Sequence, residues 1–335
     1  MIVMNVVRAG LLSTFQDLGR AGHQCSGVPV NGPMDEWSHR LANALVGNSP
    51  EAAVLECAFT GPKVTFSGDV VVALCGAAMD ATVDGQPMPY QTAVYIRRDA
   101  VLDIGKRHSG AYTYLALRAA LDVPAVLGSR STNTRARFGG FQGRALRKGD
   151  QVPFKSIAQA APLSLEILGK QSGLALMPGR RVEVRLSRHA DADAIRFVRG
   201  PQWGHFTPEA RAAFTTGRYS MSPQSDRMGT RLSGTALQLE QPLEMISEAT
   251  VYGTVQVPPD GQPIVLMADR QSAGGYPKIG YVASADLPSM AQRLPGDDVR
   301  FEAITQEAAE VLWRNFETEL AGACVAAAAA LDYGS

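Results

Sequence analysis

Gly149-Asp150-Gln151-Val152-Pro153-Phe154, in the first half of the chain, returns in the second half as Gly296-Asp297-Asp298-Val299-Arg300-Phe301. Ahead of each hexapeptide, in the same order, stands one tetrapeptide twice: Asp84-Gly85-Gln86-Pro87 and Asp260-Gly261-Gln262-Pro263. A single DGQP is only a turn. Two echoes in matching order, near corresponding ends of two β-rich halves, indicate a duplicated domain, and such repeats decide a fold before any local pattern does.

The segments around these echoes read as strands and turns. In the first half the runs Val70–Leu74, Ala93–Ile96, Val101–Ile104 and Ala111–Leu117 are rich in Val, Ile, Tyr and Thr and end at Gly, Asp or Pro. In the second half the runs Val182–Leu186, Leu237–Leu239, Thr250–Val257, Ile264–Met267 and Val299–Ile304 are of the same kind. Helices are few. One is expected from about Met34 to Val46, with Trp37, Leu41 and Leu45 on one face and Gly47-Asn48 as its stop. A second starts at Thr207-Pro208, where Thr caps and Pro suits the first helical position, and ends near Phe214. The third runs from Thr305 to about Cys324, with Leu312, Phe316 and Leu320 on one face. The Ala-, Pro-, Ser- and Leu-rich stretch Lys155–Gln171, followed by Met177-Pro178-Gly179-Arg180, reads as the linker. The expected organisation is a first β domain over residues 1–180, a second over 181–304, and a C-terminal helix and tail over 305–335.

Composition supports a large packed core and excludes several function classes. The 335 residues exceed the size at which single cores stop growing. Apolar residues make up 45% and charged residues 19%, so disorder is excluded, and the 33 glycines and 20 prolines are spread along the chain as turn formers. Lys plus Arg and Asp plus Glu both number 32. No net basic field exists to gather phosphates or an anionic membrane, so neither nucleic acid nor a membrane is an expected partner. Cys25, Cys57, Cys75 and Cys324 show no CxxC spacing and are expected to be reduced, buried thiols. The five histidines lack metal-ligand spacing, and no metal site is expected. The first residues carry no secretory pattern, and no apolar run approaches the length needed to span a bilayer. The expected compartment is the cytoplasm.

Familiar catalytic signatures are absent: there is no P-loop, HExxH, GxSxG elbow or GxGxxG opening a helix. The unusual polar loops lie in residues 222–297. Ser225-Asp226-Arg227-Met228-Gly229 sets a carboxylate beside a guanidinium suited to gripping a carboxylate or carbamate; a structural ion pair closing a turn fits the same residues. Gln256, in Gly253-Thr254-Val255-Gln256-Val257-Pro258-Pro259, can both donate to and accept from an amide, or face water at a sheet edge. Asp269 ends an apolar run, where desolvation raises a carboxyl pKa and suits it to act as a base or to hold a substrate N–H. In Ser272-Ala273-Gly274-Gly275-Tyr276-Pro277 the two glycines permit positive φ and convergence of N–H groups on an oxyanion; a tight hairpin with a packed Tyr276 fits equally. In the first half Asp17 and Arg20 can pair, and Asp35 is read as a helix cap. Gly128-Ser129-Arg130-Ser131-Thr132 and the stretch Arg135–Gly143 fit either an anion cradle or a solvated loop.

Seven segments in order, TFQDLGRAG, GVPVNGPMDEWSHRLANALVGN, GSRST, SDRMGTRLSG, GTVQVPPDGQPI, DRQSAGGYP and AQRLPGDDVRF, resemble the allophanate hydrolase subunit 2 family, also called biotin-dependent carboxyltransferase-like or Kip-antagonist-type (KipA) proteins. The resemblance covers roughly residues 3 to 304. It implies a mainly β fold of tandem cyclophilin-like β-barrel domains with a few short helices, agreeing with the internal echo. It also implies a hetero-oligomer with a Kip-inhibitor-type (allophanate hydrolase subunit 1) partner. Stand-alone members look like a subunit of bacterial ATP-dependent 5-oxoprolinase, a hydrolase that opens pyroglutamate to glutamate with a third, LamB/YcsF-type subunit. In urea carboxylases the corresponding region transfers CO2 from carboxybiotin. The Kip-antagonist name reflects a third role, a non-catalytic binder of a kinase inhibitor. Carried over by motif, Asp226, Asp269 and Tyr276 become the expected catalytic residues, and Arg227, Gln256, Gln271, Gly274 and Gly275 the residues that bind a small amide or carboxylate. In this reading Arg227 takes the substrate carboxylate. No cofactor is held tightly by this chain; the assembly uses ATP, and any biotin comes from another chain.

Overall fold

The computed structural model describes residues 1–156, 174–176 and 194–332. The expected boundary at residues 180 and 181, the strand Val182–Leu186 and nearly all of the Ala- and Pro-rich linker lie outside the described residues. By its contacts the chain divides into two compact units. One comprises residues 1–20, 35–186 and 319–335; the other comprises 21–34 and 187–318.

The fold is mainly β, with a nearly closed, barrel-like sheet. Among its described residues the first unit carries a seven-stranded and a six-stranded sheet. The long strands Val70–Met79 and Arg107–Leu117 pair antiparallel at the centre of the six-stranded sheet, in register Leu115 to Leu74. Both outgrow the runs legible in sequence, because register shifts between Arg107 and Thr113 keep the ladder going past Gly76 and Gly110. Met4, Phe15, Leu55, Val64, Phe66 and Phe154 are buried together in its core. The second unit holds an eight-stranded sheet, antiparallel except where Ile195–Arg199 runs parallel to Phe301–Ile304. Its core is aromatic: Phe214 stacks on Phe301 at 4.5 Å and meets Phe197 edge-on at 4.9 Å.

The sequence echo is an echo of atoms. Gly149 and Gly296 have φ of 89° and 92°, in the left-handed region that favours glycine. Gly149 N–H donates to the Val6 carbonyl and Gly296 N–H to that of Met221, each at 2.8 Å. The following aspartates accept from the backbone N–H three residues earlier, Asp150 from Arg147 at 2.7 Å and Asp297 from Leu294 at 2.8 Å. The two hexapeptides therefore start equivalent strands by one device.

The helices follow their caps. Glu36–Leu45 begins where Asp35 accepts from Ser38 N–H at 3.0 Å, and it buries Trp37, Leu41 and Leu45. Pro208–Thr216 begins under the Thr207 hydroxyl, which accepts from Ala210 N–H at 3.1 Å. The closing helix spans Gln306–Asp332 and runs eight residues beyond expectation, since the alanines after Cys324 continue a helix at no side-chain entropy cost. Phe316 and Leu320 are buried on it. No described helix is long and apolar enough to cross a membrane. Leu237–Leu239 is not a strand: it makes one isolated bridge, Leu239 to Phe206. Cys57 and Cys75 are buried as expected, whereas Cys25 is exposed on the short turn Gln24–Ser26 and Cys324 is half-buried.

Candidate functional site

In the second unit four of the polar residues singled out in the sequence meet in pairs, Arg227 with Asp269 and Gln256 with Gln271. The strand Ile264–Leu266 pairs with Gly229–Ser233. Just beyond this ladder Asp269 N–H donates to the Arg227 carbonyl at 2.7 Å. That backbone bond brings the two side chains into a bidentate ion pair, Arg227 Nε to Asp269 Oδ2 at 2.9 Å and Nη2 to Oδ1 at 3.0 Å. Arg227 is 5% exposed. Its Nη2 also donates to the Gly32 carbonyl at 2.7 Å, and Asn31 Nδ2 donates to Asp269 Oδ1 at 2.6 Å.

Asn31 and Gly32 belong to this site through backbone geometry. Consecutive left-handed residues, φ 60° and 95°, turn the Asn31 amide and the Gly32 carbonyl onto the ion pair. An Asn-Gly pair is a sequence signal for such a turn; the segment Gly32-Pro33-Met34-Asp35 reads as structural from sequence, and Asn31 is not singled out there. The Arg227 fork faces Asp269, and so does not stand open to an incoming carboxylate as expected. Asp269 accepts twice on Oδ1 and once on Oδ2, so Oδ2 keeps acceptor capacity.

A second group forms around Gln256. Gln256, on the strand Thr254–Gln256, is 2% exposed; its Oε1 accepts from Gln271 Nε2 at 3.3 Å, and its Nε2 has no hydrogen-bond partner among the described residues. Gly274 packs against that amide so closely that a Cβ on it would lie 2.5 Å from Gln256 Nε2. Neither Gly274 nor Gly275 takes a positive φ, and Gly274 is extended in a short ladder opposite Glu248. The glycine pair is thus no left-handed nest. Gly274 is required by the space of its neighbour, not by its dihedrals. Lys278, also passed over in the sequence, pairs across the ladder with Gln256 and buries its whole stem, with Nζ donating to Glu248.

Two expected residues stand apart from these contacts. Asp226 is exposed, and its Oδ1 accepts from the N–H groups of Met228 and Gly229 at 2.8 and 3.2 Å, closing its own turn. Tyr276 is 46% exposed and, with Gly275, lines a cavity of about 680 Å³. Pro277, the Ala236–Leu243 loop and Val257–Gly261 form the rest of its wall; Arg227, Gln256 and Asp269 do not line it.

In the first unit the open readings resolve inward. Asp17 Oδ1 accepts from the Ser129 and Ser131 hydroxyls at 2.5 and 2.7 Å and from Gly19 N–H at 2.9 Å, while Oδ2 accepts from Arg130 N–H. The expected pairing of Asp17 with Arg20 gives way to separate partners. Arg20 donates from Nε to the Val126 carbonyl at 3.3 Å and from Nη2 to that of Ser131, with its guanidinium 4.7 Å from the Phe138 ring centre. The GSRST loop therefore grips the protein's own carboxylate.

Known proteins resemble this chain in sequence and in architecture. A family model described as "Carboxyltransferase domain, subdomain A and B" matches residues 26–303. The chain is 36% identical to a 5-oxoprolinase subunit of Haemophilus influenzae over 304 residues, covering 90% of this chain and 92% of that protein. It is 34% identical to the 5-oxoprolinase subunit of the same name from Escherichia coli, covering 92% and 93%. The crystal structure of the K. lactis urea amidolyase superposes with a TM-score of 0.84 at 26% identity, over 96% of this chain and 20% of that one.

Proposed function

Because the chain belongs to the carboxyltransferase domain, subdomain A and B, family, we propose that it is the substrate-recognising subunit of an ATP-dependent 5-oxoprolinase. The observation that carries this reading is the match, almost end to end, with one 5-oxoprolinase subunit from two bacteria. The chain works in the cytoplasm with a Kip-inhibitor-type partner and a LamB/YcsF-type subunit, and the assembly consumes the ATP.

The site chemistry fits a small cyclic amide. Hydrolysis of a lactam places negative charge on the carbonyl oxygen while the C–N bond breaks and the nitrogen gains a proton. Gln256 Nε2, a buried donor with nothing to bond, offers the lactam oxygen a hydrogen bond that strengthens as charge develops. Asp269, fixed by Arg227 and Asn31, takes the lactam N–H on Oδ2 and orients the ring. Gln271 holds the Gln256 amide in place, and Gly274 leaves it room. Gly275 and Tyr276 line the separate cavity of about 680 Å³.

A second reading, carboxyl transfer from carboxybiotin to urea or a related amide, is favoured by the urea amidolyase likeness. The lone Gln256 donor suits a ureido carbonyl as well as a lactam. Biotin would then arrive on another chain. Coexpression with the two partner chains separates the readings. The purified assembly, given ATP and 5-oxoproline, is expected to release glutamate; failure to do so while carboxylating urea from carboxybiotin would replace the first reading with the second.

A further inference from the structure

Arg270 is a buried guanidinium that the fold does not neutralise. It is 9% exposed, sits between Asp269 and Gln271, and has its Nε unpartnered. Among the described residues its guanidinium makes one hydrogen bond, a long one from Nη1 to the Met267 carbonyl at 3.5 Å. The guanidinium lies 5.5 Å from the centre of the Tyr252 ring, whose hydroxyl is turned away to donate to the Met34 carbonyl at 2.7 Å. No acidic side chain among the described residues hydrogen-bonds it. The adjacent Asp269 is committed to Arg227 and Asn31. Burial depresses the Arg270 pKa, opposed by Tyr252 and Asp269, yet a guanidinium stays charged inside proteins.

The charge count is therefore unbalanced: two guanidiniums, Arg227 and Arg270, face a single carboxylate, Asp269. A buried charge with unmade hydrogen bonds costs stability unless something binds it. A ligand carrying one negative charge balances the cluster. A neutral amide does not.

The geometry points to Arg270 as the side chain that takes the carboxylate of the substrate, so that the site selects an amide bearing an acid group over the same amide without one. This assignment rests on the 5-oxoprolinase reading and moves the carboxylate contact from Arg227, whose fork is occupied, to the arginine whose donors are not. The Gln256 donor and the Arg270 guanidinium then read the two ends of one small molecule, its lactam oxygen and its carboxylate.

The test uses the full chain assembled with its partners and measures kcat and KM for 5-oxoproline. Inhibition by 2-pyrrolidinone, the same lactam without the acid, is measured alongside. Arg270→Gln is expected to raise KM for 5-oxoproline by about 10- to 100-fold, the range of a lost charge-assisted hydrogen bond. Its inhibition constant for 2-pyrrolidinone is expected to stay within about 2-fold, and Arg270→Lys to recover part of the KM. An unchanged KM in Arg270→Gln overturns the assignment, as does an equal loss for the acid and the neutral lactam. Should Arg270→Gln fold poorly, Arg270→Lys decides alone: it keeps the charge without the fork, and equal weakening of both ligands rejects the proposal. An assembly that processes only urea rejects the 5-oxoprolinase reading itself, an outcome distinct from a 5-oxoproline-active enzyme indifferent to Arg270.

Discussion

Each unit buries one arginine over an aromatic ring, Arg20 near Phe138 and Arg270 near Tyr252, and the two differ in what their N–H groups reach. Arg20 is 1% exposed and donates into the carbonyls of a loop that also wraps Asp17. Among the described residues the Arg270 guanidinium has a single long bond and an idle Nε. Composition and burial are alike, so neither separates structure from function here. Hydrogen-bond completion does. Arg20 spends its N–H groups on carbonyls inside the fold, whereas the Arg270 Nε keeps an N–H that a ligand can take.

The contrast can be sharpened first by pH, through the interior of the first unit. His39 is fully buried, its ring Nε2 lies 3.1 Å from the Gln16 carbonyl, and burial holds its pKa down at about 4 against an ordinary 6.5. Below pH 6.5 the unfolded chain takes up a proton that the folded chain refuses until about pH 4, so stability is lost as pH falls through that window. The shift corresponds to about 3 kcal/mol. Urea unfolding of wild type and His39→Gln at pH 7.5 and pH 4 is expected to show the wild-type advantage shrinking by about that amount; a constant difference would mean that His39 is not buried neutral.

A smaller effect separates two neighbouring glycines in the second unit. Gly274→Ala would press a methyl group onto the Gln256 amide, costing about 1–3 kcal/mol of overpacking. Gly275→Ala meets nothing nearer than 3.5 Å. Turnover is expected to fall at least about 10-fold in the first variant and to stay within about 2-fold in the second. Equal loss in both would return the pair to the backbone role expected from sequence.

Much of the fold was legible because its signals are local. The paired Gly-Asp turns, the Asp35 and Thr207 caps and the apolar stripe of the Glu36–Leu45 helix each depend on a few consecutive residues. The candidate site was legible only in part. Arg227, Gln256 and Asp269 stood out by type and Gln271 through the family resemblance, but Asn31 reaches Asp269 across 238 residues of sequence, and no pattern of spacing announces such a contact. Arg270 was not singled out in the sequence. Which of two arginines is already engaged depends on three-dimensional partners, and sequence assigned the carboxylate to the engaged one. Leu237–Leu239 has strand composition yet forms a cavity wall, a case of tertiary context overriding β propensity.

The measurement closest to the central claim is the unfolding free energy of two matched variants, Arg20→Met and Arg270→Met, in the free chain. Removing Arg20 strips partners from buried carbonyls and is expected to cost about 3 kcal/mol or more. Removing Arg270 deletes a charge that the fold does not compensate, and it is expected to leave stability unchanged or raised. A loss in Arg270→Met as large as that in Arg20→Met would show that both arginines serve the fold alone, and would contradict the account.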